Sequence, residues 1–201
     1  NAGVVATDTT GVGTARNSLA ACSYGGDKGI FGFGYDGSNV SYTNLVSNAG
    51  VVATDTTGVG TARNQPAACE YGGDKGIFGF GSTGSYTAVT NLVSNTGVVG
   101  TDVTGVGTAR GEQPGACSYG EDKGIFAYGY DANPNYVSMS NLVTNLGVVG
   151  TDVTGVGTAR YALAACEFGG DEGIFAYGLT GSDVSMSNLV TNAGVVGTDV
   201  T

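Results

Sequence analysis

A block of just under fifty residues is written four times along this chain, and that self-similarity constrains the fold more than any other feature. The triplet Thr-Ala-Arg ends at Arg16, Arg63, Arg110 and Arg160, a spacing of 47, 47 and 50 residues. Asn-Leu-Val begins at Asn44, Asn91, Asn141 and Asn188, and Gly-Val-Val recurs from Gly3, Gly50, Gly97, Gly147 and Gly194. A repeated unit of this size cannot bury an apolar face alone, so the copies must stack and share a core. The third copy is longer by three residues, two between Asp122 and Asn141 and one between Arg110 and Cys117. Units are expected over 14–58, 61–105, 108–155 and 158–201, with an extra strand of the fourth type at 1–10.

Each unit reads as four short strands separated by turns. In the first copy these are Leu19–Tyr24, Gly29–Tyr35, Ser41–Ser47 and Val51–Thr57, with turns at Gly25-Gly26-Asp27 and Asn48-Ala49-Gly50 and a longer loop at Tyr35–Asn39. No stretch carries a helical period. In the second strand, alternation puts Phe31 and Phe33 on one face and Ile30, Gly32 and Gly34 on the other. The same split recurs as Phe78/Phe80, Phe126/Tyr128 and Phe175/Tyr177 opposite Gly79, Ala127 and Ala176. An aromatic face and a bare face can stack module on module. The expected fold is therefore all-β: a β-propeller of four-stranded antiparallel blades, with four repeats as a four-bladed ring or part of a larger one. A β-sandwich would want large side chains on both inner faces, and a β-solenoid usually has a shorter repeat.

These residues resemble a kelch-type propeller repeat. The likeness lies in the arginine before the first strand (Arg16), the small-residue first strand (Ala20-Ala21-Cys22) and the aromatic second strand closing on glycine (Ile30-Phe31-Gly32-Phe33-Gly34), and it spans all four copies. The sequence departs from that pattern where Tyr35, Ser82, Tyr130 or Leu179 replaces a second glycine, and in having no tryptophan. The resemblance implies a binding scaffold, or in some members a copper oxidase.

Histidine is absent altogether, which removes the ligands of such a copper site along with imidazole bases and the usual nucleophile–histidine pairs. Asp8, Asp55, Asp102, Asp152 and Asp199 share one repeat position, and Asp27, Asp74, Asp122 and Asp171 another. A position occupied in every unit is structural rather than catalytic, because an active site needs an unequal, convergent set. Arg16, Arg63, Arg110 and Arg160 are expected to bond such aspartates and tie unit to unit, while Phe31, Phe78, Phe126 and Phe175 supply the packing. Cys22, Cys69, Cys117 and Cys166, one per unit, read as small buried hydrophobes. No catalytic residue, metal site or cofactor is expected, and the chain is read as a non-enzyme; Glu112 with Asp131 is the one unevenly placed carboxylate pair. The net charge is −10, and the seven basic residues recur once per unit without forming a stripe, so no nucleic-acid partner is expected. No apolar run is long enough for a membrane helix.

The copies differ chiefly in the loop between the second and third strands and in the approach to the first strand. Both belong to one end of the unit, so the variation gathers on a single face, as in a diversified binding surface. The candidate ligand-binding residues there are Tyr35, Asp36, Asn39, Tyr86, Glu112, Tyr130, Asp131, Asn133, Tyr136 and Asp183, suited to a glycan or protein ligand. An extracellular or cell- or virion-surface setting is expected. The alternative is a structural filament subunit that self-associates by exchange of terminal strands.

Overall fold

The computed structural model describes residues 7–133 and 135–201. The described residues contain no helix, and hence none long and apolar enough to cross a membrane. Their strands are β1 (Ala20–Tyr24), β2 (Lys28–Gly32), β3 (Thr43–Val46), β4 (Ala67–Tyr71), β5 (Lys75–Gly79), β6 (Thr90–Val93), β7 (Arg110–Gly111), β8 (Gly115–Tyr119), β9 (Lys123–Ala127), β10 (Tyr130–Asp131), β11 (Ser140–Val143), β12 (Ala164–Phe168), β13 (Glu172–Ala176) and β14 (Ser187–Val190). Four antiparallel three-stranded sheets result, one per repeat, with the second strand central: β1-β2-β3, β4-β5-β6, β8-β9-β11 and β12-β13-β14. The short pair β7 and β10 adds a small sheet beside the third unit.

The expected fourth strand is present only as a segment held by two isolated bridges. In unit 1, Val52 pairs with Val46 and Thr56 with Thr43; the same spacing recurs in every unit. Four steps on one side face three on the other, so the segment bulges and cannot form a continuous ladder. Its aspartate does other work. Asp55 accepts the Thr14 backbone N–H at 3.0 Å, the Thr14 hydroxyl at 2.7 Å and the Asn44 amide at 2.8 Å. Asp102, Asp152 and Asp199 hold Thr61, Thr108 and Thr158 in the same way. Each clasp therefore fastens the start of a unit to its own end. The segment expected at 1–10 lies mostly outside the described residues, and its described portion, 7–10, forms no strand.

The two aromatics of the second strand do not share a face. Phe33, Phe80, Tyr128 and Tyr177 adopt φ of 61°, 62°, 63° and 63°, which ends the strand at the preceding residue and turns the ring to the other side. Phe31 and its counterparts thus face the preceding unit (the front), while Phe33 and its counterparts face the following unit (the rear). The two sets meet edge to face: Phe33 with Phe78 at 5.2 Å, Phe80 with Phe126 at 5.2 Å, and Tyr128 with Phe175 at 5.4 Å. Edge-to-face geometry adds about 0.5–1.5 kcal/mol per pair to the burial of each ring.

Close approach explains the small residues beneath these rings. A Cβ on Gly32 would lie 2.7 Å from Phe78, and one on Gly79 2.9 Å from Phe126. In unit 3 the roles exchange: Ala127 takes the central-strand position, and its cross-strand partner is Gly115, where a Cβ would lie 2.7 Å from Phe175. The partners of Gly32 and Gly79 are Ala20 and Ala67. Every covered floor therefore carries a single methyl across the strand pair. Cysteine follows the same logic, with the sulfurs of Cys22, Cys69 and Cys117 against Gly76, Gly124 and Gly173 of the next unit. Burial pushes the Cys22 and Cys117 thiols up to about 12, and Cys69 is raised as well, so all three are protonated and poorly nucleophilic at neutral pH.

The arginines tie units together, though not through aspartate as expected. Arg63 lies 3.9 Å from the Phe33 ring centre, Arg110 3.9 Å from Phe80, and Arg160 4.2 Å from Tyr128, each ring belonging to the preceding unit. Their nearest aspartates belong to their own units and stand at 3.9–4.0 Å for Arg16, Arg110 and Arg160, too far for hydrogen bonds. Backbone bonds reinforce the stack at both ends of the first strand: Gly25 to Asp74, Gly72 to Asp122 and Gly120 to Asp171, each at 2.7 Å, and Gly34 to Arg63, Gly81 to Arg110 and Gly129 to Arg160.

Successive first strands lie side by side, β1 by β4, β4 by β8 and β8 by β12. Among the named strands, the closest backbone approach between units is that of a first strand to the first and second strands of the next unit, while Leu45 of β3 and Leu92 of β6 reach the third-to-fourth turns of the following units at Gly97 and Gly147. Among the described residues the four units do not close on themselves. Phe31, at the front of unit 1, is 38% exposed and Tyr177, at the rear of unit 4, is 63% exposed, whereas their counterparts at every internal junction are 0% exposed.

Two outcomes follow from this packing. Gly79→Ala places a second methyl under Phe126 and is expected to lower stability by about 1–3 kcal/mol in urea unfolding. Adding Ala67→Gly recreates the unit 3 arrangement and should recover that loss, apart from the ~0.5–1 kcal/mol cost of a strand glycine. The clasps set the acid response. Hydrogen bonds from Thr14 and Asn44 hold Asp55 below the usual carboxylate range. At Asp102 and Asp152 burial pulls upward but is outweighed by the bonds from Thr61 and Asn91, and from Thr108 and Asn141. A carboxylate depressed in the folded state contributes stability that is present above its unfolded pKa of about 4 and is lost as pH falls through the folded value. Asp102→Asn should lower the melting temperature at pH 7 and flatten its decline between about pH 4 and pH 2.

Candidate functional site

The loop between second and third strands and the approach to the first strand share one end of each unit because they pair with each other. Asn17 bridges Tyr35, Asn64 bridges Ser82, Gly111 pairs with Tyr130, and Tyr161 bridges Leu179. On this end, units 2, 3 and 4 bring four tyrosines together around one carboxylate. Tyr86 and Tyr130 are 6.1 Å apart, Tyr130 and Tyr136 5.5 Å, and Tyr130 and Tyr161 5.8 Å; Tyr136 and Tyr161 stack at 5.3 Å with 24° between planes. Glu112, Tyr130, Tyr136 and Tyr161 line an open hollow of about 320 Å³. A second hollow of about 340 Å³ lies on the other side of Glu112, bordered by Tyr86, Ser82 and Ala132.

Local sequence builds this arrangement from the third unit's extra length. The added residue before the first strand places both Glu112 and Gln113 in the left-handed region, at φ 55° and 56°, where the other units have one such residue each: Ser18, Gln65 and Ala162. Gly111 occupies the position of Asn17, Asn64 and Tyr161 in the other units. A Cβ there would lie 2.5 Å from Tyr86, so only glycine lets that ring lie on the backbone. Glu112 then accepts from the Gln65 amide at 2.9 Å and from the Tyr86 hydroxyl at 3.2 Å. Burial, followed by the Glu112 carboxylate, pushes Tyr86 up to about 12.

Of the ten residues singled out in the sequence, Tyr86, Glu112, Tyr130 and Tyr136 converge at this site. Asp131 sits at its base, but its carboxylate caps the loop, accepting the Asn133 and Asn135 N–H groups at 2.9 and 3.0 Å. Asn133 is an exposed loop residue that supplies one of those donors. Glu112 and Asp131 thus engage separate partners and do not form a hydrogen-bonded pair. Tyr35, Asp36 and Asn39 lie on unit 1: Asp36 accepts the Tyr42 hydroxyl at 2.7 Å, and Asn39 donates to the Ser82 carbonyl at 3.2 Å. Asp183 borders a different hollow, with Tyr177 and Leu179. Tyr161 and Gln65 belong to the site and were missed. The signal for Tyr161 was present, since its repeat position holds Asn17, Asn64, Gly111 and Tyr161 in turn. No group of three or more acidic or cysteine side chains is gathered as a metal site among the described residues.

The Glu112 contact can be read spectroscopically. Glu112→Gln removes the neighbouring anion and should move the Tyr86 transition down in an ultraviolet pH titration, still above an ordinary tyrosine because burial remains. The wild-type minus Tyr86→Phe difference identifies that transition, and an unmoved one would separate the two groups electrostatically.

No protein-family model matches this chain, and no curated protein matches it.

Proposed function

We propose that this chain is a non-enzymatic binding scaffold of kelch-like, propeller-type units, working outside the cell or on a cell or virion surface, that recognises a glycan through the tyrosine-lined hollow beside Glu112. The observation that carries the reading is convergence: side chains from three units meet at one place on an otherwise repetitive surface. Tyrosine faces suit the C–H face of a sugar ring, while phenolic hydroxyls and a carboxylate suit its hydroxyl groups. Face-to-face stacking of one antiparallel sheet per repeat, with successive first strands side by side, supports the propeller-type arrangement. The variability of this end against constant turns at the other supports binding over packing as the reason for its residues.

A glycan array checks the proposal. Wild-type protein should retain a defined set of glycans, Tyr136→Ala and Tyr161→Ala should each weaken binding about tenfold or more without changing the melting temperature, and Tyr35→Ala on unit 1 should leave it intact. Absence of any retained glycan, or retention that survives both site substitutions, overturns the reading; a protein ligand captured through the same tyrosines would redirect it.

A further inference from the structure

The two ends of the stack are the two halves of a junction that the chain already makes three times. At the junction between units 3 and 4, the rear ring Tyr128 enters the front of unit 4, lies under Arg160 at 4.2 Å, meets Phe175 at 5.4 Å and donates its hydroxyl to the Val156 carbonyl at 3.2 Å. Unit 4 ends in the same rear residue type, Tyr177, which is 63% exposed. Unit 1 begins with the matching front: a hollow of about 280 Å³ lined by Arg16, Phe31 and Val12, the counterparts of Arg160, Phe175 and Val156. Arg16 lies beside Tyr42 of its own unit, 4.8 Å from that ring centre.

A second knob and hole repeats the match. Tyr119 of unit 3 rests against Gly194 of unit 4, where a Cβ would lie 2.8 Å from its ring. On the open ends, Phe168 of unit 4 is 39% exposed, and a Cβ on Gly50 of unit 1 would meet nothing within 4 Å.

We propose that the rear of unit 4 docks onto the front of unit 1 of a second copy of this chain, with Tyr177 seated between Arg16 and Phe31. The interface continues one already established inside the chain, and it is heterologous, so successive copies close into a ring or extend as a filament. The mode is face-to-face stacking, distinct from exchange of terminal strands, and it does not rest on the glycan reading. One feature tunes it: the floor that Phe31 would cover holds Ala164 and Ala176, two methyls where each internal junction has one.

Sedimentation velocity over a concentration series tests the proposal. Wild-type protein should form dimers or larger species, whether a closed ring or a growing filament. Tyr177→Asp blunts only the rear and Phe31→Asp only the front, so each alone should be monomeric with an unchanged melting temperature. A one-to-one mixture of the two retains one intact rear and one intact front, and should give dimers and nothing larger. Ala164→Gly restores the single-methyl floor and should tighten association by about tenfold. A wild-type chain that stays monomeric at 100-fold above micromolar concentration, variants that assemble like wild type, or a mixture that fails to dimerise overturns the proposal. Glycan binding by the monomeric variants is read separately, so either proposal can fail without the other.

Discussion

The architecture depends on one steric contact, an aromatic ring laid on a strand pair that carries almost no side chain. Three such contacts bury Phe78, Phe126 and Phe175 completely, and beside each of them the rear ring of the preceding unit, Phe33, Phe80 or Tyr128, is covered by Arg63, Arg110 or Arg160 from the unit that supplies the buried ring. Burying a ring of this size is worth about 1.5–3 kcal/mol. A desolvated cation over an aromatic face adds as much as ~2 kcal/mol. Burial lowers Arg63 and Arg110 to about 10, a shift the nearby aspartates oppose, so both remain charged at neutral pH. The methyl count beneath the rings shows how finely this contact is set. When glycine leaves the central strand in unit 3, it reappears on the strand beside it.

Much of this was legible in the sequence. The repeat, the antiparallel sheets, the packing of Phe78 on glycine and the gathering of variable loops at one end all follow from periodicity and turn chemistry. The side of the second ring was not legible, because alternation assumes an extended backbone and Phe33 leaves it at φ 61°. Gly34 beside it marked a place where the chain turns, but glycine alone does not say whether its neighbour turns as well. The fourth strand read well from its Thr and Val content, yet the aspartate within it is engaged by Thr14 and Asn44, and the ladder yields to that clasp.

The candidate site shows a different limit. Tyr86, Glu112, Tyr130 and Tyr136 stood out because they break the repeat, and breaking the repeat is a signal that one chain can provide about itself. Which of the irregular residues meet is a question of distance across units, and Tyr35, Asp36 and Asn39 were equally irregular. Tyr161 enters the cluster because unit 4 lies beside unit 3, and Gln65 because unit 2 lies on its other side. Asp131 shows the converse: a residue whose type suggests chemistry serves the loop that carries the tyrosines.

The clasps bear on how a molecule like this grows over time. Because Thr14 answers to Asp55 and Thr61 to Asp102, each stretch of the gene encoding one repeat specifies a finished object with its own fastener. A duplication in frame inserts another such object without orphaning a neighbour's bonds, and the three additional residues of the third copy sit where no fastener is disturbed. Length is therefore an easily inherited variable of this design, whereas the identity of the small residues under each ring is not.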